Sequence, residues 1–239
     1  MFPNPANHDT AAEEGRVNRR VAVGLSAAAG LALTALGAFT LPTFAEGGKD
    51  PTMANDSGME RAIFAGGCFW CVESDFDKVE GVASTVSGYI GGSNDNPTYK
   101  NHTAQGHREA VEIVYDPDVV SFDTLLDVFW TSVDPTDDGG QFCDRGFSYT
   151  TAIYAVDDEQ LETAKASAEK FGQLLDEPIK TEIVAAPTFW PAEDYHQDYY
   201  AKNPIRYAYY RRACRRDGTV ERVWGENAYK GLKAAKAAT

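Results

Sequence analysis

The stretch RAIFAGGCFWCVESDFDKV, residues 61–79, changes its hydrophobic pattern at a pair of glycines. After Arg61, residues 62–65 form a short apolar run, which indicates a short buried strand over 61–65 that ends at Gly66-Gly67. From Cys68 onward, apolar residues recur at spacings of three and four, which is the pattern of a helix with one buried face. The stretch therefore predicts a strand, a tight turn and a helix that starts at a cysteine.

Strands and helices follow one another without regular alternation in the rest of the chain. Ser121 and Asp157 precede two predicted helices and are residue types that cap helix N-termini. The pattern predicts an α+β fold, namely a two-layer sandwich with a mixed β-sheet and a ferredoxin-like core with extensions. Further strands are predicted at 82–90, 110–115, 151–156 and 179–184, a loop at 91–97, and helices at 122–129, 157–175 and 192–202.

Composition narrows the range of partners. The formal net charge is −14, whereas a phosphate-binding surface needs clustered Lys and Arg side chains. Nucleic acid is therefore not expected as a partner. The sequence has no glycine-rich dinucleotide motif and no second close cysteine pair to complete a zinc site, so no cofactor and no metal are expected. A monomer is the expected state.

The first 45 residues are predicted to lie outside the folded domain. Arg19-Arg20 precede an uncharged run at 21–39, and small residues end at Ala45, which together are typical of a signal peptide. The arginine pair favours the twin-arginine route, and an uncleaved membrane anchor is the alternative because the run is near the length of a membrane span. Either way the domain is expected to be exported, either periplasmic or anchored with an extracytoplasmic domain.

The sequence divides into four segments on this basis. A flexible linker is predicted at 46–59, one folded domain at 60–226, and a Lys/Ala-rich tail at 227–239, which is expected to be frayed after Tyr229.

Cys68 is the candidate nucleophile among four cysteines. Free backbone N–H groups and the helix dipole at a helix start favour the thiolate, which is the reactive form. The preceding glycines allow a tight turn and keep bulk away from the sulfur. An even number of cysteines in an exported protein also permits structural disulfides, the alternative for Cys68, Cys71, Cys143 and Cys214.

Three chemistries use a thiol of this kind. Cys68 and Cys71 form a C-x-x-C motif at a helix start, which is typical of thiol–disulfide exchange. His196 and Asn203 lie at a spacing that suits a papain-like hydrolase. The third chemistry is redox turnover through a sulfenic acid, which a second thiol resolves.

The segment GGCFWCVE, residues 66–73, resembles the G-C-F-W-x-x-E signature of the peptide methionine sulfoxide reductase A family. The resemblance runs over about residues 60–205 and implies that 60–226 is a catalytic domain that reduces methionine S-sulfoxide, free or in proteins, to methionine. Further segments agree with the family in order at 87–92, 96–99, 106–111, 114–117, 134–136, 144–149, 192–199 and 202–204.

The resemblance also implies roles for individual residues. Cys68 attacks the sulfoxide sulfur, and Glu109 donates a proton to the leaving oxygen, which requires a protonated acid in an apolar site. Adjacent residues on a helix point in different directions, so Trp70 is a better candidate than Phe69 for the apolar wall around the substrate methyl group. The implied substrate-binding residues are Phe69, Trp70, Tyr99, Asp144 and Tyr149.

The identity of the resolving thiol stays open. The family's recycling cysteines lie in a glycine-rich C-terminal tail, and this chain has no such tail. Cys214 is the preferred candidate, Cys71 and Cys143 are alternatives, and a relay through more than one of them is possible. Resolution of the sulfenic acid forms an intramolecular disulfide, which must be reduced in each cycle and so implies a thioredoxin-like reductant outside the cytoplasm. The resemblance, together with the predicted export, implies a role in repair of oxidised exported proteins. The alternative function is a thioredoxin-like oxidoreductase that uses Cys68 and Cys71.

Overall fold

The computed structural model describes residues 58–237, so the predicted signal peptide and almost all of the predicted linker lie outside the described residues. Within the described range, no helix is both long enough and apolar enough to cross a membrane. In chain order the elements are β1 (Glu60–Gly66), α1 (Phe69–Phe76), β2 (Val82–Ile90), β3 (Arg108–Tyr115), α2 (Phe122–Trp130), β4 (Gly140–Gln141), β5 (Asp144–Arg145), β6 (Thr151–Ala155), α3 (Asp158–Leu175), β7 (Glu182–Ala185), β8 (Phe189–Pro191), α4 (Tyr199–Lys202), α5 (Pro204–Ala213), α6 (Arg216–Trp224) and α7 (Lys230–Ala237).

Six strands form one mixed sheet in the order β7-β6-β1-β3-β2-β8. The β6–β7 pair is parallel and the other neighbouring pairs are antiparallel. Strands β4 and β5 pair separately as a short ladder. The predicted α+β fold with a mixed sheet is therefore confirmed.

The main core lies between one face of this sheet and the helices. Alternate residues of β1 point to opposite faces, so Phe64 joins the main core and Ile63 a smaller cluster on the other face. Phe64 stacks on Phe76 of α1 and on Phe129 of α2, with ring centroids 5.2 and 5.0 Å apart. These contacts hold α1 against the centre of the sheet.

Gly67 makes the turn between β1 and α1. Its φ is +86°, and a Cβ atom there would lie 2.6 Å from Cβ of Gln141 in β4. Only glycine adopts this conformation readily and leaves room for the Gln141 side chain. The predicted strand, tight turn and helix are thus observed, and the start of α1 is fixed against β4.

The predicted helix caps are also confirmed. The hydroxyl of Ser121 accepts from the Thr124 N–H at 3.2 Å, and the carboxylate of Asp157 accepts from the Gln160 N–H at 2.8 Å. The predicted strand at 82–90 coincides with β2.

The predicted helix at 192–202 is wrong over most of its length, because only Tyr199–Lys202 is helical. The Gln197 side chain accepts from the Ser87 N–H at 2.8 Å and donates to the Ser87 carbonyl at 2.9 Å. This side chain takes the place of a strand partner at the edge of β2, beyond the last residue of β8 that pairs there. Hydrophobic spacing carries no signal for such a contact.

The prediction of a frayed tail is also wrong. Residues 230–237 form α7, in which Leu232 and Ala235 are buried. Gly231 allows α7 to approach α2 closely, since a Cβ atom there would lie 2.3 Å from the backbone of Asp127. The glycine and the small apolar residues therefore make the tail a packed part of the fold.

Candidate active site

Cys68 lies directly before α1 as its N-cap residue, and its carbonyl accepts from the Cys71 N–H at 3.0 Å. Both cysteines are buried and neither is in a disulfide. Their thiols form a hydrogen bond to each other. The sequence-predicted nucleophile and its C-x-x-C partner therefore form one thiol pair.

The two thiols differ in acidity. Burial raises the pKa of Cys68 well above its usual value, and the adjacent Cys71 and Glu109 act in the same direction. The hydrogen bond from Cys68 lowers the pKa of Cys71 to about 7 against the effect of burial, and the charge of Arg216 contributes. Burial therefore opposes the thiolate expected at Cys68, and these shifts favour Cys71 as the thiolate of the pair.

Cations lie on the Cys71 side of the pair. Arg216 is buried and donates to the carbonyls of Gly66 and Ser132, both at 3.1 Å. Arg211 pairs with the buried Asp75 at 3.0 Å. Cys71 therefore faces fixed positive charge, which stabilises its thiolate.

Glu109 lies in β3, and its charge interacts with both thiols. Its Oε2 accepts from the backbone N–H of Phe69 at 3.0 Å, and its side chain is almost wholly buried. Burial raises the pKa of Glu109 to about 8, although hydrogen bonds from Phe69 and Tyr149 act against this. The carboxyl group is protonated at neutral pH, as its predicted role requires.

An aromatic wall extends from the start of α1. Trp70 stacks on Tyr199 with centroids 3.7 Å apart and planes 7° apart, and it meets the Tyr210 ring in a T-shaped contact with centroids 5.8 Å apart. The Phe69 ring lies 5.0 Å from that of His196 and also contacts Trp70 at 6.4 Å. Both predicted wall residues are therefore in one aromatic cluster beside the thiol pair.

The two predicted tyrosines are half-buried on the Glu109 side. Tyr149 lies in a short 3₁₀ turn and hydrogen-bonds Glu109. Burial raises the pKa of Tyr149 far above its usual value, so its hydroxyl remains a neutral donor. Tyr99 is placed by its backbone N–H, which donates to Glu193 at 3.1 Å, and its ring lies 4.7 Å from that of His196.

Asp144 connects the site to a disulfide. The Tyr210 hydroxyl donates to Oδ2 of Asp144, and burial raises the pKa of this carboxyl group. Cys143 and Cys214 form the disulfide, and their sulfurs lie 3.8 and 3.7 Å from the Asp144 oxygens. The ligand atoms of these three residues lie within 4.8 Å of one another, but a metal would need both sulfurs as thiolates.

The disulfide bears on the choice of resolving thiol. Cys214 is paired with Cys143, which is exposed, and Cys68 is paired with neither. The predicted Cys68–Cys214 bond is therefore not formed in this redox state, and its formation during turnover stays a prediction. Cys71 is the thiol already in contact with Cys68.

His196 does not act on Cys68 as a hydrolase base would. Its Nδ1 accepts from the Trp70 indole N–H at 3.1 Å, and burial lowers its pKa to about 4. Asn203 lies at the start of α5 with its backbone in hydrogen bonds to Tyr199 and Tyr207. This geometry matches a hydrogen-bonded structural histidine.

Sequence patterns gave no indication of three residues that shape the site. Arg216 and Tyr210 belong to helices that hydrophobic spacing did not predict, and both act through single side chains. His102 follows a predicted loop, and its Nε2 lies 3.8 Å from Oε1 of Glu109. A buried cation and a lone histidine have no local sequence signature.

The assembled site combines a buried thiol pair, a protonated carboxyl group, neutral hydroxyl donors and an apolar wall. A thiol can attack a polar sulfur–oxygen group only when the oxygen receives a proton. The thiol pair can supply the nucleophile, and the carboxyl group can supply the proton. The wall suits an apolar substituent on the sulfur.

Known proteins share this sequence and fold. A family model described as peptide methionine sulfoxide reductase matches residues 60–228. Peptide methionine sulfoxide reductase MsrA 2 of Rhizobium meliloti (strain 1021) is 57% identical over 171 residues, which cover 72% of this chain and 86% of that protein. Peptide methionine sulfoxide reductase MsrA of Bacillus licheniformis is 48% identical over 170 residues, which cover 70% of this chain and 94% of that protein.

Solved structures are similar as well. The structure of methionine sulfoxide reductase A of Corynebacterium diphtheriae superposes with a TM-score of 0.57 at 34% identity and covers 63% of this chain and 78% of that chain. The reduced form of Mxr1 from Saccharomyces cerevisiae superposes with a TM-score of 0.60 at 27% identity and covers 63% of this chain and 88% of that chain.

Proposed function

This chain belongs to the peptide methionine sulfoxide reductase A family and reduces methionine sulfoxide at the expense of thiols, and on that premise we propose which residues carry the reaction. The observation that supports the proposal is a buried thiol pair that interacts with both a protonated Glu109 and the guanidinium groups of Arg216 and Arg211. Cys68 directly precedes Phe69, whose backbone N–H binds Glu109, whereas Arg216 and Arg211 act on Cys71, and this arrangement supports Cys68 as the nucleophile.

In the proposed first step, Cys68 attacks the sulfoxide sulfur and its own proton passes to the Cys71 thiolate. Glu109 gives its proton to the oxygen, which is transferred to Cys68. The products are methionine, a Cys68 sulfenic acid, a Cys71 thiol and a Glu109 carboxylate. Tyr99 and Tyr149 are proposed to donate hydrogen bonds to the oxygen, and a chiral pocket of this kind is expected to accept only the S epimer.

In the proposed second step, the Cys71 thiol attacks the sulfenic acid, releases water and forms a Cys68–Cys71 disulfide. Contact between the two thiols supports Cys71 as the first resolving residue. Attack by Cys214 is the alternative, and it requires prior reduction of the Cys143–Cys214 bond. A relay from Cys71 to that pair would also regenerate Cys68.

Disulfide mapping after one turnover tests these steps. Fully reduced protein receives one equivalent of methionine S-sulfoxide with no other reductant, and the bonds are assigned by mass spectrometry. We expect methionine and a Cys68–Cys71 bridge, neither of which forms in Cys68→Ser. Cys71→Ser should leave a sulfenic acid that dimedone traps, whereas Cys143→Ser/Cys214→Ser should still form the bridge.

A different outcome identifies the error. Full methionine formation by Cys68→Ser would reject the nucleophile. A Cys68–Cys214 bridge that forms as fast in Cys71→Ser as in the natural protein would reject Cys71 in favour of Cys214. Rapid disulfide exchange with insulin but no sulfoxide turnover would instead favour the thioredoxin-like function, for which the Cys71 pKa of about 7 is suitable.

Export, partner and oligomeric state extend the proposal. The arginine pair and the apolar run before residue 45 support export, so the substrates would be oxidised proteins outside the cytoplasm. An enzyme disulfide must be reduced in each cycle, which supports a thioredoxin-like reductant there. Fractionation of cells and sedimentation of the purified protein test the location and the proposed monomer, and an experimental structure tests the two-layer, ferredoxin-like arrangement.

A further inference from the structure

His102 lies between the acid of the site and the protein surface. Its side chain is almost wholly buried, and its Nε2 is 3.8 Å from Oε1 of Glu109. The same Nε2 lies 3.1 Å from the hydroxyl oxygen of Thr103, an exposed residue. One ring nitrogen therefore faces both the acid and a group in contact with solvent.

The hydrogen bonds determine the tautomer. Nδ1 of His102 lies 2.9 Å from the carbonyl oxygen of Tyr99. A carbonyl only accepts, so Nδ1 carries the proton and Nε2 has a free lone pair. The Thr103 hydroxyl donates to that lone pair. Nε2 is thus ready to accept a proton from the solvent side.

The surroundings keep His102 neutral in the resting site. Burial lowers its pKa, and His107 adds to this effect while Glu193 opposes it. The Tyr89 ring stacks on the imidazole at 4.8 Å, and Tyr99 and His196 complete the ring of neighbours. Glu109 is the acidic group in contact with Nε2.

The proposed reaction leaves Glu109 without its proton after each reduction. The thiol pair releases its first proton to solvent when Cys71 ionises, and Glu109 later gives its own proton to the sulfoxide oxygen. Glu109 must regain one proton from solvent before the next substrate is reduced. It is buried, so the proton needs a route.

We propose that His102 returns this proton to Glu109. After each reduction, the new carboxylate places a negative charge 3.8 Å from Nε2 and so favours the imidazolium. A solvent proton reaches Nε2 through the Thr103 hydroxyl, and the same nitrogen passes it to Glu109. One proton enters and one is delivered, so His102 is neutral again. This inference rests on the proposed role of Glu109 as the acid.

His102→Gln tests the route because glutamine retains hydrogen bonding but does not carry a proton at neutral pH. Rates are measured with methionine S-sulfoxide and saturating dithiothreitol, at pH 6.5 and 8.5 in dilute buffer. At pH 6.5, where Glu109 starts protonated, we expect the first turnover to keep its natural rate. The steady-state kcat should fall about tenfold at pH 8.5, less at pH 6.5, and recover on addition of imidazole, with KM unchanged.

His107→Gln is the matched control because it removes a neighbouring buried imidazole that does not contact Glu109. It should show no loss that imidazole restores. A His102→Gln enzyme with the natural kcat at both pH values would overturn the inference. So would a loss that is equal at both pH values and insensitive to imidazole, since that identifies a purely structural role. Glu109→Gln separates a failure of the His102 route from a failure of the proposed acid. Full activity in that variant would reject Glu109 as the acid.

Discussion

Trp70 donates its indole N–H to Nδ1 of His196 at 3.1 Å, and this bond joins α1 to the turn that precedes α4. It also fixes the protonation of His196, because a nitrogen that accepts from an indole carries no proton. The imidazole lies beside the rings of Phe69 and Tyr99, at 5.0 and 4.7 Å. His196 therefore belongs to the aromatic wall and takes no proton from Cys68 at Nδ1.

His196→Ala should accordingly weaken substrate binding more than chemistry. Loss of the ring opens the wall and leaves the buried indole N–H without its partner, which costs roughly 1–3 kcal/mol of unfolding free energy. We expect KM for methionine sulfoxide to rise and kcat to change by less than about tenfold, whereas loss of a catalytic base costs about 10²–10⁴-fold. Steady-state kinetics and urea unfolding measure both effects. A fall in kcat of the larger size would restore the hydrolase-type role.

The pH profile of sulfoxide reduction should be bell-shaped. The rate should rise as the thiol pair loses its first proton, since the pKa of Cys71 is about 7. It should fall as Glu109 loses its proton at a pKa of about 8, because a carboxylate has no proton to donate. Single-turnover measurements from pH 5 to 10 report both limbs as properties of the coupled groups.

Two variants assign the limbs of this profile. Glu109→Gln should retain the fold and lose most of the activity at every pH, so that no falling limb near pH 8 remains. Cys71→Ser should shift the rising limb upward, because Cys68 then ionises alone at its raised pKa. A falling limb at pH 8 that survives in Glu109→Gln would assign it to another group.

Local patterns in the sequence predicted the central β1–turn–α1 segment of the fold but not peripheral elements such as α5. The strand, glycine turn and helix around Cys68 were predictable because hydrophobic spacing and Gly67 act within a few residues of one another. Helix α5 was not, because Tyr207 is its one buried residue and charged contacts of Arg211 secure it instead. Hydrophobic spacing contains no information about such long-range polar contacts.

The same distinction holds for the site. Motif residues were brought together as the family resemblance implied, with Glu109, Tyr149 and Asp144 near the thiol pair. The bond between Cys143 and Cys214 spans 71 residues, and spacing alone does not determine such a pairing.

Glu73 should make stability depend on pH. It is wholly buried in α1, and burial raises its pKa to about 7 from 4.5, although hydrogen bonds to the Asp198 backbone and the Ser87 side chain act against this shift. A carboxyl group with a raised folded pKa stabilises the fold below its unfolded pKa, and this contribution is lost as pH rises through about 7. The Glu73→Gln variant should not lose unfolding free energy in this way, because glutamine does not ionise.

Urea unfolding of the natural protein and of Glu73→Gln at pH 5 and pH 8 measures the difference. Between these pH values the unfolding free energy of the variant should gain roughly 2–3 kcal/mol relative to the natural protein, as an upper limit. Glu169→Gln, an exposed change in α3, is the control and should show no such gain. Parallel pH dependence in Glu73→Gln and the natural protein would show that Glu73 does not ionise in this range.

The disulfide should stabilise the fold through the chain it closes and the contacts it positions. Cys143 and Cys214 join the β4–β5 ladder to the end of α5, with Asp144 and Tyr210 bonded beside them. Closing a loop of this length restricts the unfolded chain, which in the entropic account is worth about 4 kcal/mol and in practice roughly 2–5. Cys143→Ser/Cys214→Ser should therefore unfold at lower urea concentration than the oxidised natural protein. It should also raise KM, because Asp144 and Tyr210 lose a fixed neighbour.

The natural protein with that bond selectively reduced is the control for the serine side chains and should match the variant. Equal stability of the oxidised protein and the variant would mean that the bond neither restricts the unfolded chain nor holds α5 in place, and that its role is confined to electron transfer.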